Sequence, residues 1–518
     1  MDASLRPRFG PGAAGHMSPM PSALRVCLTL SGGASLGAYQ AGASAALLAA
    51  LECIRDDHGV DVRVDAIGGA SAGSIVGLIA AHSLLEGADG CHLLHEAWVE
   101  RVTVDTLLRG GARGPLSLAR VRRELPELLE SGRRGAAQRH PLMLHIALTG
   151  LRGLTYDIHG LRRDEPVTGV TFADWKDFRL EPGGGTAQLL EPRGSSPLET
   201  VLASASHPGA FAPRVLDRRA DRDEYERQGI TNLPRSGWLW YSDGGQIQSE
   251  PLGRVLAAAR AVDDDGPEDA HRLNLLIDPR SEEPSAAEEW SDRDYDPSWG
   301  HGLARALTVP PEQALYDDVR RIERDNYRLD WIGQLSDAID GHLSEDARDG
   351  LRALLERISG DRGKLRGDRA PASEDDDERP AGELLRRVVE DIGGLRGKQH
   401  VAVDVISPLL LAKHADSGVT DLLAGELMGD FGGFLDRDLR RSDFALGYES
   451  TLAWCNDGLG ACGLPDGAVQ AAAAAIERRR PERWQDVRRG EAGERDLPWR
   501  ARLRMARILL RAGRALLR

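Results

Sequence analysis

A serine flanked by glycines is the first feature of the sequence that could carry chemistry. Ser71 lies in the pentapeptide Gly69-Ala70-Ser71-Ala72-Gly73. Glycines two residues before and after a serine permit a sharp turn from strand to helix, which exposes the hydroxyl at the edge of a sheet. The amino end of the following helix favours negative charge on that oxygen. The pattern predicts a nucleophile at Ser71, with a plain tight turn as the alternative.

A glycine-rich turn precedes this motif in the chain. Gly32, Gly33 and Gly37 follow an apolar run and open an Ala/Leu-rich segment. Bare glycine amides in such a turn can donate to an oxygen that becomes negatively charged. The spacing matches neither a dinucleotide fingerprint nor a P-loop, so a nucleotide-phosphate loop is not expected. The turn therefore predicts an oxyanion site, with a structural turn as the alternative.

An aspartate followed by two glycines completes the set of candidate residues. Asp243 precedes Gly244 and Gly245 and follows the apolar, aromatic run Trp238–Tyr241. An aspartate at the end of a strand can approach a serine hydroxyl, and to act as a base it must lie within about 3 Å. An ordinary Asp-Gly turn is the alternative.

The elements around these motifs predict an α/β fold. Two apolar runs, each followed by a glycine turn and an apolar helix, are typical of a parallel sheet. The predicted strands of this repeat are 24–30 and 62–67, and the helices are 38–53 and 74–85. Further strands are predicted at 142–148, 273–277 and 401–406, and further helices before 131–132 and over 311–343.

The order of the motifs resembles that of the patatin-like phospholipase family, in its bacterial members. The family has an oxyanion glycine loop, then Gly-x-Ser-x-Gly, then Asp-Gly-Gly or Asp-Gly-Ala. The segment Ala203–Pro213 resembles the family's block between nucleophile and aspartate. Residues 431–434, 440–444 and Gly447 resemble the C-terminal part of some bacterial members. The resemblance extends over about residues 24–453 and is weak at 86–200 and 281–400.

The resemblance implies a three-layer α/β/α fold with a mainly parallel sheet and helical insertions. It implies a phospholipase A or related lipid acyl hydrolase with Ser71 as nucleophile and Asp243 as base, without a catalytic histidine. Gly32 and Gly33 would line the oxyanion hole, supported by Gly37, Gly69, Gly73, Gly244 and Gly245. Acyl esters of phospholipids or lysophospholipids are the expected substrates, and neither a cofactor nor a metal is expected.

Two positions depart from the family pattern. Leu36 stands where members commonly carry Arg or Lys, which puts a headgroup-binding charge in doubt. Ser249 stands where many members have Asn, which affects support of the loop.

Two other functions remain open from the sequence. One is a catalytically idle lipid-binding or regulatory protein, although retention of Ser71, Asp243 and both loop glycines argues against it. The other is a carboxylesterase with a Ser-His-Asp triad. His82 and His207 precede Asp243 and do not fit the usual chain order, whereas His271 does. Loss of activity on changing His271 would favour the triad.

Composition predicts how the remaining chain is divided. The expected parts are a disordered tail at 1–22, a catalytic domain at 23–359, an acidic linker at 360–381, and a C-terminal part at 382–480 that packs on the catalytic domain. Residues 86–200 within the catalytic domain give no clear pattern. The last part, 481–518, is predicted to be a basic amphipathic helix.

Charge and cysteine content restrict the class of protein. The net charge of −15 argues against a nucleic-acid binder, which needs a basic face. No secretory signal and no uniformly apolar run of about 18 residues is apparent, so any membrane contact would be peripheral. Five widely spaced cysteines without metal-ligand spacing predict reduced thiols in the cytoplasm.

The C-terminal segment is the basic exception on an acidic chain. Residues 497–518 contain seven arginines and no acid. Most of the arginines recur at spacings of three and four, which places them along one stripe of a helix. Such a helix either lies on the anionic inner membrane face or docks on its own acidic domain, and the sequence leaves both alternatives open.

Overall fold

The computed structural model describes most of the chain. The described residues are 23–109, 113–132, 135–158, 167–190, 195–230, 232–262, 270–280, 298–342, 344–351, 353–354, 382, 385–386, 388–390, 400–412, 422–425, 430–488 and 499–516. The predicted tail at 1–22 and the predicted linker at 360–381 lie outside these residues.

Eight strands of the described residues form one mixed sheet. The strands are β1 Ala23–Leu30, β2 Asp61–Gly69, β3 Leu142–Ile158, β4 Val167–Leu180, β5 Arg214–Asp217, β6 Trp238–Ser242, β7 His271–Ile277 and β8 Asp404–Ile406. Their order is β5-β6-β3-β2-β1-β7-β8, and β4 also pairs with β3. The neighbouring strands β3, β2, β1, β7 and β8 are mutually parallel, whereas β4, β5 and β6 form antiparallel pairs.

The α-helices of the described residues connect and cover these strands. They are α1 Gly37–His58, α2 Ala72–Glu86, α3 Gly90–His95, α4 Val104–Leu107, α5 Ala119–Glu130, α6 Ala187–Leu190, α7 Pro197–Ser204, α8 Arg222–Arg227, α9 Leu252–Ala259, α10 Trp299–His342, α11 Leu409–Ala412, α12 Arg437–Ala461, α13 Asp466–Arg479, α14 Trp484–Val487 and α15 Trp499–Leu516.

The fold is the predicted α/β architecture with helices on both faces of a mainly parallel sheet. Cys27, Ala66 and Met143 on one face pack against α9, while the alternate residues of the same strands pack against α1 and α2 on the other. A strand buried on both faces needs apolar side chains at successive positions, which explains the unbroken apolar run of β1. The sequence did not predict the antiparallel arrangement of β4, β5 and β6.

The helix that follows the glycine turn is central to the core. Together with its preceding turn, Ala34–His58 is the one helix among the described residues with the length and hydropathy of a membrane span. Its most apolar stretch is 89% buried inside the fold. Core helices of this kind have the same composition, so the feature is weak support for a span.

Helix α12 crosses α1 with almost direct backbone contact. A Cβ atom at Gly42 would overlap the carbonyl group of Phe444, and one at Gly447 would overlap the carbonyl oxygen of Tyr39. Only glycine permits this approach at either position. The contact attaches the C-terminal helices to the helix that begins at the glycine loop.

The chain forms two compact units. One comprises the described residues of Met1–Pro311 and Asp404–Arg518, and includes the whole sheet. The other comprises those of Glu312–Val403, where the described residues are mostly helical. Within this second unit, Val388 packs with Leu351 and Leu385.

Replacing Gly42 by alanine should destabilise the protein by about 2–3 kcal/mol, because the added methyl group would force α12 away from α1. Urea unfolding followed by circular dichroism measures the effect. The matched control is Gly460→Ala in α12, where an added Cβ meets no atom within 4 Å. That control should be neutral or slightly stabilising, because alanine favours helix more than glycine does. Equal stability of the two variants would contradict the proposed crowding.

Candidate active site

Strand ends bring the first two motifs together. Leu30 of β1 pairs in register with both Gly69 of β2 and Ile277 of β7, so the three strands end at one edge of the sheet. The glycine loop after β1 and the serine turn after β2 therefore lie side by side. The Cα of Gly32 is close enough that a Cβ there would lie 3.7 Å from the Cβ of Ser71.

Ser71 occupies a sharp turn at the amino end of α2. Its φ of 51° and ψ of −123° are unusual for a residue with a side chain. A Cβ at Gly69 would lie 2.7 Å from the carbonyl carbon of Gly73, and one at Gly73 would overlap the carbonyl oxygens of Leu30 and Ser31. The two glycines of the motif are thus required by the close approach of backbone on both sides of the serine.

Strand β3 brings the third motif to the same place. Only its first part, Met143–Ile146, pairs with β2, and the strand continues past the end of β2. There it pairs antiparallel with β6, with Thr149 opposite Ser242, so β6 ends beside the serine turn. A Cβ at Gly244 would overlap the carbonyl group of Ala147, which explains the glycine after Asp243.

The result is a direct hydrogen bond between Ser71 and Asp243. The Ser71 hydroxyl donates to Asp243 Oδ2 at 2.6 Å, and the Gly245 amide donates to Asp243 Oδ1 at 2.8 Å. Ser71 and Asp243 are both buried, with 7% and 2% of their surface exposed. The third residue of the motif, Gly245, therefore fixes the orientation of the carboxylate.

Burial controls the protonation of this carboxylate. Removal from water raises the pKa of Asp243 to about 7, although the hydrogen bonds from Ser71 and Gly245 each lower it. A carboxylate with such a pKa can both accept and return a proton near neutral pH.

Two further serines, to which the sequence assigned no catalytic role, hold the site in place. Ser204 accepts a hydrogen bond from the Ser71 amide at 3.0 Å and donates to the Ala147 carbonyl at 2.7 Å. Ser74 donates to the Ser71 carbonyl at 2.6 Å. The Ser71 backbone is therefore tied on both sides. Ser204 lies inside the block that resembles the family, which was the available signal for it.

The glycine loop is attached to Ser249, one of the two departures from the family pattern. The Gly32 amide donates to the Ser249 carbonyl at 3.0 Å and approaches its Oγ at 3.2 Å. In this structure the Gly32 amide is thus occupied, whereas the Gly33 amide has no acceptor among the described residues. The other departure, Leu36, is a buried apolar side chain of the core. Gly37 lies against the ring of Trp98.

A buried polar cluster fixes the strand that leads to Asp243. Asp174 Oδ2 accepts hydrogen bonds from Tyr241 at 2.6 Å, from Tyr225 at 2.7 Å and from Arg218 at 3.1 Å. Tyr241 is two residues before Asp243 on β6. The cluster therefore holds the end of β6 in register, as satisfied buried networks do.

The structure places the three histidines of the sequence analysis against groups other than the Ser71 hydroxyl. His271 pairs with Leu24 at the opposite end of β7 from the site, about 20 Å away at 3.3 Å per residue. His82 contacts the Leu129 carbonyl through Nε2. His207 packs edge-on against Phe431 and accepts a hydrogen bond from the Gly209 amide. The alternative of a triad with His271 is therefore wrong, because β7 directs its amino end away from Ser71.

No metal site lies beside Ser71 and Asp243 in the part of the chain that the structure describes. There, no group of three or more His, Cys, Asp or Glu side chains is placed to hold an ion.

The burial of Asp243 predicts a pH-dependent effect on stability. Since the folded protein raises its pKa from 3.8 to about 7, this group contributes stability at low pH that is lost as the pH rises from about 4 to 7. Asp243→Asn should therefore stabilise the protein above pH 7, by up to about 4 kcal/mol, and much less near pH 4. Thermal unfolding of the variant and wild type at both pH values measures this difference.

Asp217→Asn is the control of opposite sign. Hydrogen bonds from Arg219 hold the pKa of Asp217 below its usual range, so this variant should be less stable than wild type at pH 7. If Asp243→Asn is less stable than wild type above pH 7, the pKa of Asp243 is not raised in the folded protein.

Comparison with known proteins identifies the region that contains this site. Residues 28–256 match the patatin-like phospholipase family. No curated protein matches the sequence. Among solved structures, VipD from Legionella pneumophila is similar at 12% identity over 90% of this chain and 93% of that chain, with a TM-score of 0.22. Because that identity and TM-score are both low, the family assignment depends on the sequence match, and residues 28–256 form a patatin-like phospholipase domain.

Proposed function

We propose that this protein hydrolyses acyl esters of phospholipids or lysophospholipids, with Ser71 as nucleophile and Asp243 as general base. A patatin-like phospholipase domain implies lipid acyl hydrolase activity. The observation that carries the more specific proposal is the 2.6 Å hydrogen bond from the Ser71 hydroxyl to the buried carboxylate of Asp243. A hydroxyl that donates to a base whose pKa lies near neutral pH is the arrangement that nucleophilic catalysis needs.

The reaction begins when Asp243 takes the Ser71 proton as the serine oxygen attacks the ester carbonyl carbon. The carbonyl oxygen of the tetrahedral intermediate then carries the negative charge. When the intermediate collapses, the bond to the alcohol breaks and Asp243 returns the proton to the leaving oxygen. Water attacks the acyl-serine in the same manner, with Asp243 again as base, and releases the fatty acid.

The oxyanion would bind at the glycine loop and at the amino end of α2. The Gly33 amide is the better donor, because the Gly32 amide already donates to Ser249. We propose that Gly32 contributes chiefly by its lack of a side chain beside Ser71, and by holding the loop to Ser249. Its amide would join Gly33 as a second donor only if the loop releases Ser249. Amides that are fixed before the reaction stabilise such a charge without reorganisation.

A fluorophosphonate probe should label wild-type protein at Ser71, as shown by peptide mapping. Ser71→Ala should abolish the labelling, and Asp243→Asn should slow it by about 10²–10⁴-fold, because proton transfer to the base is lost. His271→Ala is the matched control and should label at the wild-type rate. Absence of labelling in folded wild type, even with anionic liposomes present, would contradict the hydrolase and favour the lipid-binding alternative.

The rate of ester hydrolysis should rise with pH through an apparent pKa of about 7, because Asp243 must be ionised to accept the serine proton. A soluble chromogenic ester assayed from about pH 5 to 9 measures the profile, with circular dichroism to verify folding at each pH. In Asp243→Asn the remaining activity should lose this step. A wild-type profile that is flat across pH 7 would exclude Asp243 as the base.

A further inference from the structure

The basic C-terminal helix, α15, docks on its own unit through one face. Ala501 is buried, and Met505 and Ile508 pack against the core. Arg504 donates to Asp105 at 2.6 Å and to the Leu435 carbonyl at 2.8 Å. The side chains that anchor the helix thus recur at spacings of three and four, as one helical face requires.

The opposite face of α15 presents large apolar side chains to solvent. Trp499, Leu503 and Leu510 are 67%, 51% and 64% exposed. At about 100° per residue these three lie within about 40° of one another around the helix. Ile508 of the docked face is about 180° from Trp499. We call Trp499, Leu503 and Leu510 the outer stripe. The docked helix therefore leaves its outer stripe uncovered among the described residues.

Arginines flank the outer stripe on both sides. Arg500, Arg507 and Arg511 lie along one border, and Arg502 lies along the other, by the same helical geometry. These residues form a local cationic surface on a protein whose net charge is −15. Tryptophan and leucine between arginines match the boundary between anionic headgroups and acyl chains.

We propose that the outer stripe and its flanking arginines form a docking surface for an anionic lipid membrane. The outer stripe inserts among the acyl chains near the headgroups, while Arg500 and Arg507 contact lipid phosphates. Docking on the protein and docking on the membrane use different faces of α15. The two alternatives that the sequence left open are thus compatible.

The attachment of α15 lies close in the fold to the glycine loop. Arg504 holds the carbonyl of Leu435, which directly follows the turn Gly432–Phe434. The Gly433 amide in that turn donates to Ser35 Oγ at 3.0 Å, and Ser35 belongs to the loop that precedes α1. A membrane bound at α15 would therefore lie on the side of the protein where this loop is supported. The binding proposal itself does not depend on the proposed hydrolase function.

Vesicle co-sedimentation of the full chain tests this docking surface. The Ser71→Ala background prevents hydrolysis of the vesicles during the experiment. Binding to phosphatidylcholine vesicles that contain phosphatidylglycerol should exceed binding to phosphatidylcholine alone, and should weaken with added salt. Arg500→Gln with Arg507→Gln should reduce the affinity about 30-fold, from about 1 kcal/mol for each arginine. Leu503→Ser with Leu510→Ser should reduce it about tenfold or more.

Two matched variants control for charge and for exposed apolar surface. Arg123→Gln with Arg227→Gln removes the same charge from arginines that are mostly exposed elsewhere. Phe172→Ser with Trp238→Ser removes exposed aromatic groups from the sheet. Both controls should bind vesicles as the parent does. Three results would overturn the proposal. The α15 variants could bind as the parent does, or either control could lose as much binding as the α15 variants. The parent could also bind neutral vesicles as well as anionic ones.

Fluorophosphonate labelling without vesicles separates this proposal from the hydrolase. The α15 variants, made with Ser71 intact, should label as wild type does, which shows that they are folded. Normal labelling with no vesicle binding would overturn the docking surface alone. Vesicle binding without labelling of wild type would overturn the hydrolase alone.

Discussion

The candidate active site depends on the close approach of backbone segments at the ends of three strands. Ser71 and Asp243 are 172 residues apart in sequence, and their side chains meet at 2.6 Å. The approach is possible only because glycine occupies positions 69, 73 and 244, where a Cβ would meet neighbouring backbone. These three glycines are therefore steric requirements of the contact between Ser71 and Asp243. A larger residue at any of these positions would push the backbone segments apart and so separate the Ser71 hydroxyl from the Asp243 carboxylate.

Burial of Ser71 and Asp243 affects both the stability of the protein and the proposed reaction. A carboxylate removed from water is destabilising when ionised, and the raised pKa of Asp243 expresses this cost. The same raised pKa suits a base that must accept and return a proton near neutral pH. The strand that leads to Asp243 is held by the hydrogen bond from Tyr241 to the buried Asp174.

The C-terminal part of the chain supports the glycine loop next to the candidate active site. Arg440 is buried and donates to the carbonyls of Val99, Gly433 and Asp436, so it holds the turn that contacts Ser35. Burial lowers the pKa of this guanidinium to about 10. Because the glycine loop is attached both to Ser249 and to this turn, its position depends on residues distant in sequence. The turn Gly432–Phe434 and Arg440 thus have a structural role next to the glycine loop.

The sequence alone determined the repeated strand, glycine turn and helix, and the three motifs that carry the proposed chemistry. These features are local, because glycine spacing, apolar runs and helix starts can each be recognised within a stretch of about ten residues. The sequence did not determine that β3 extends past β2 to pair with β6, or that Ser204 holds the Ser71 amide. It also left open whether α15 docks on its own unit and gave no sign that Gly32 donates to Ser249. These features depend on pairings between residues far apart in the chain, which only the tertiary structure brings into contact.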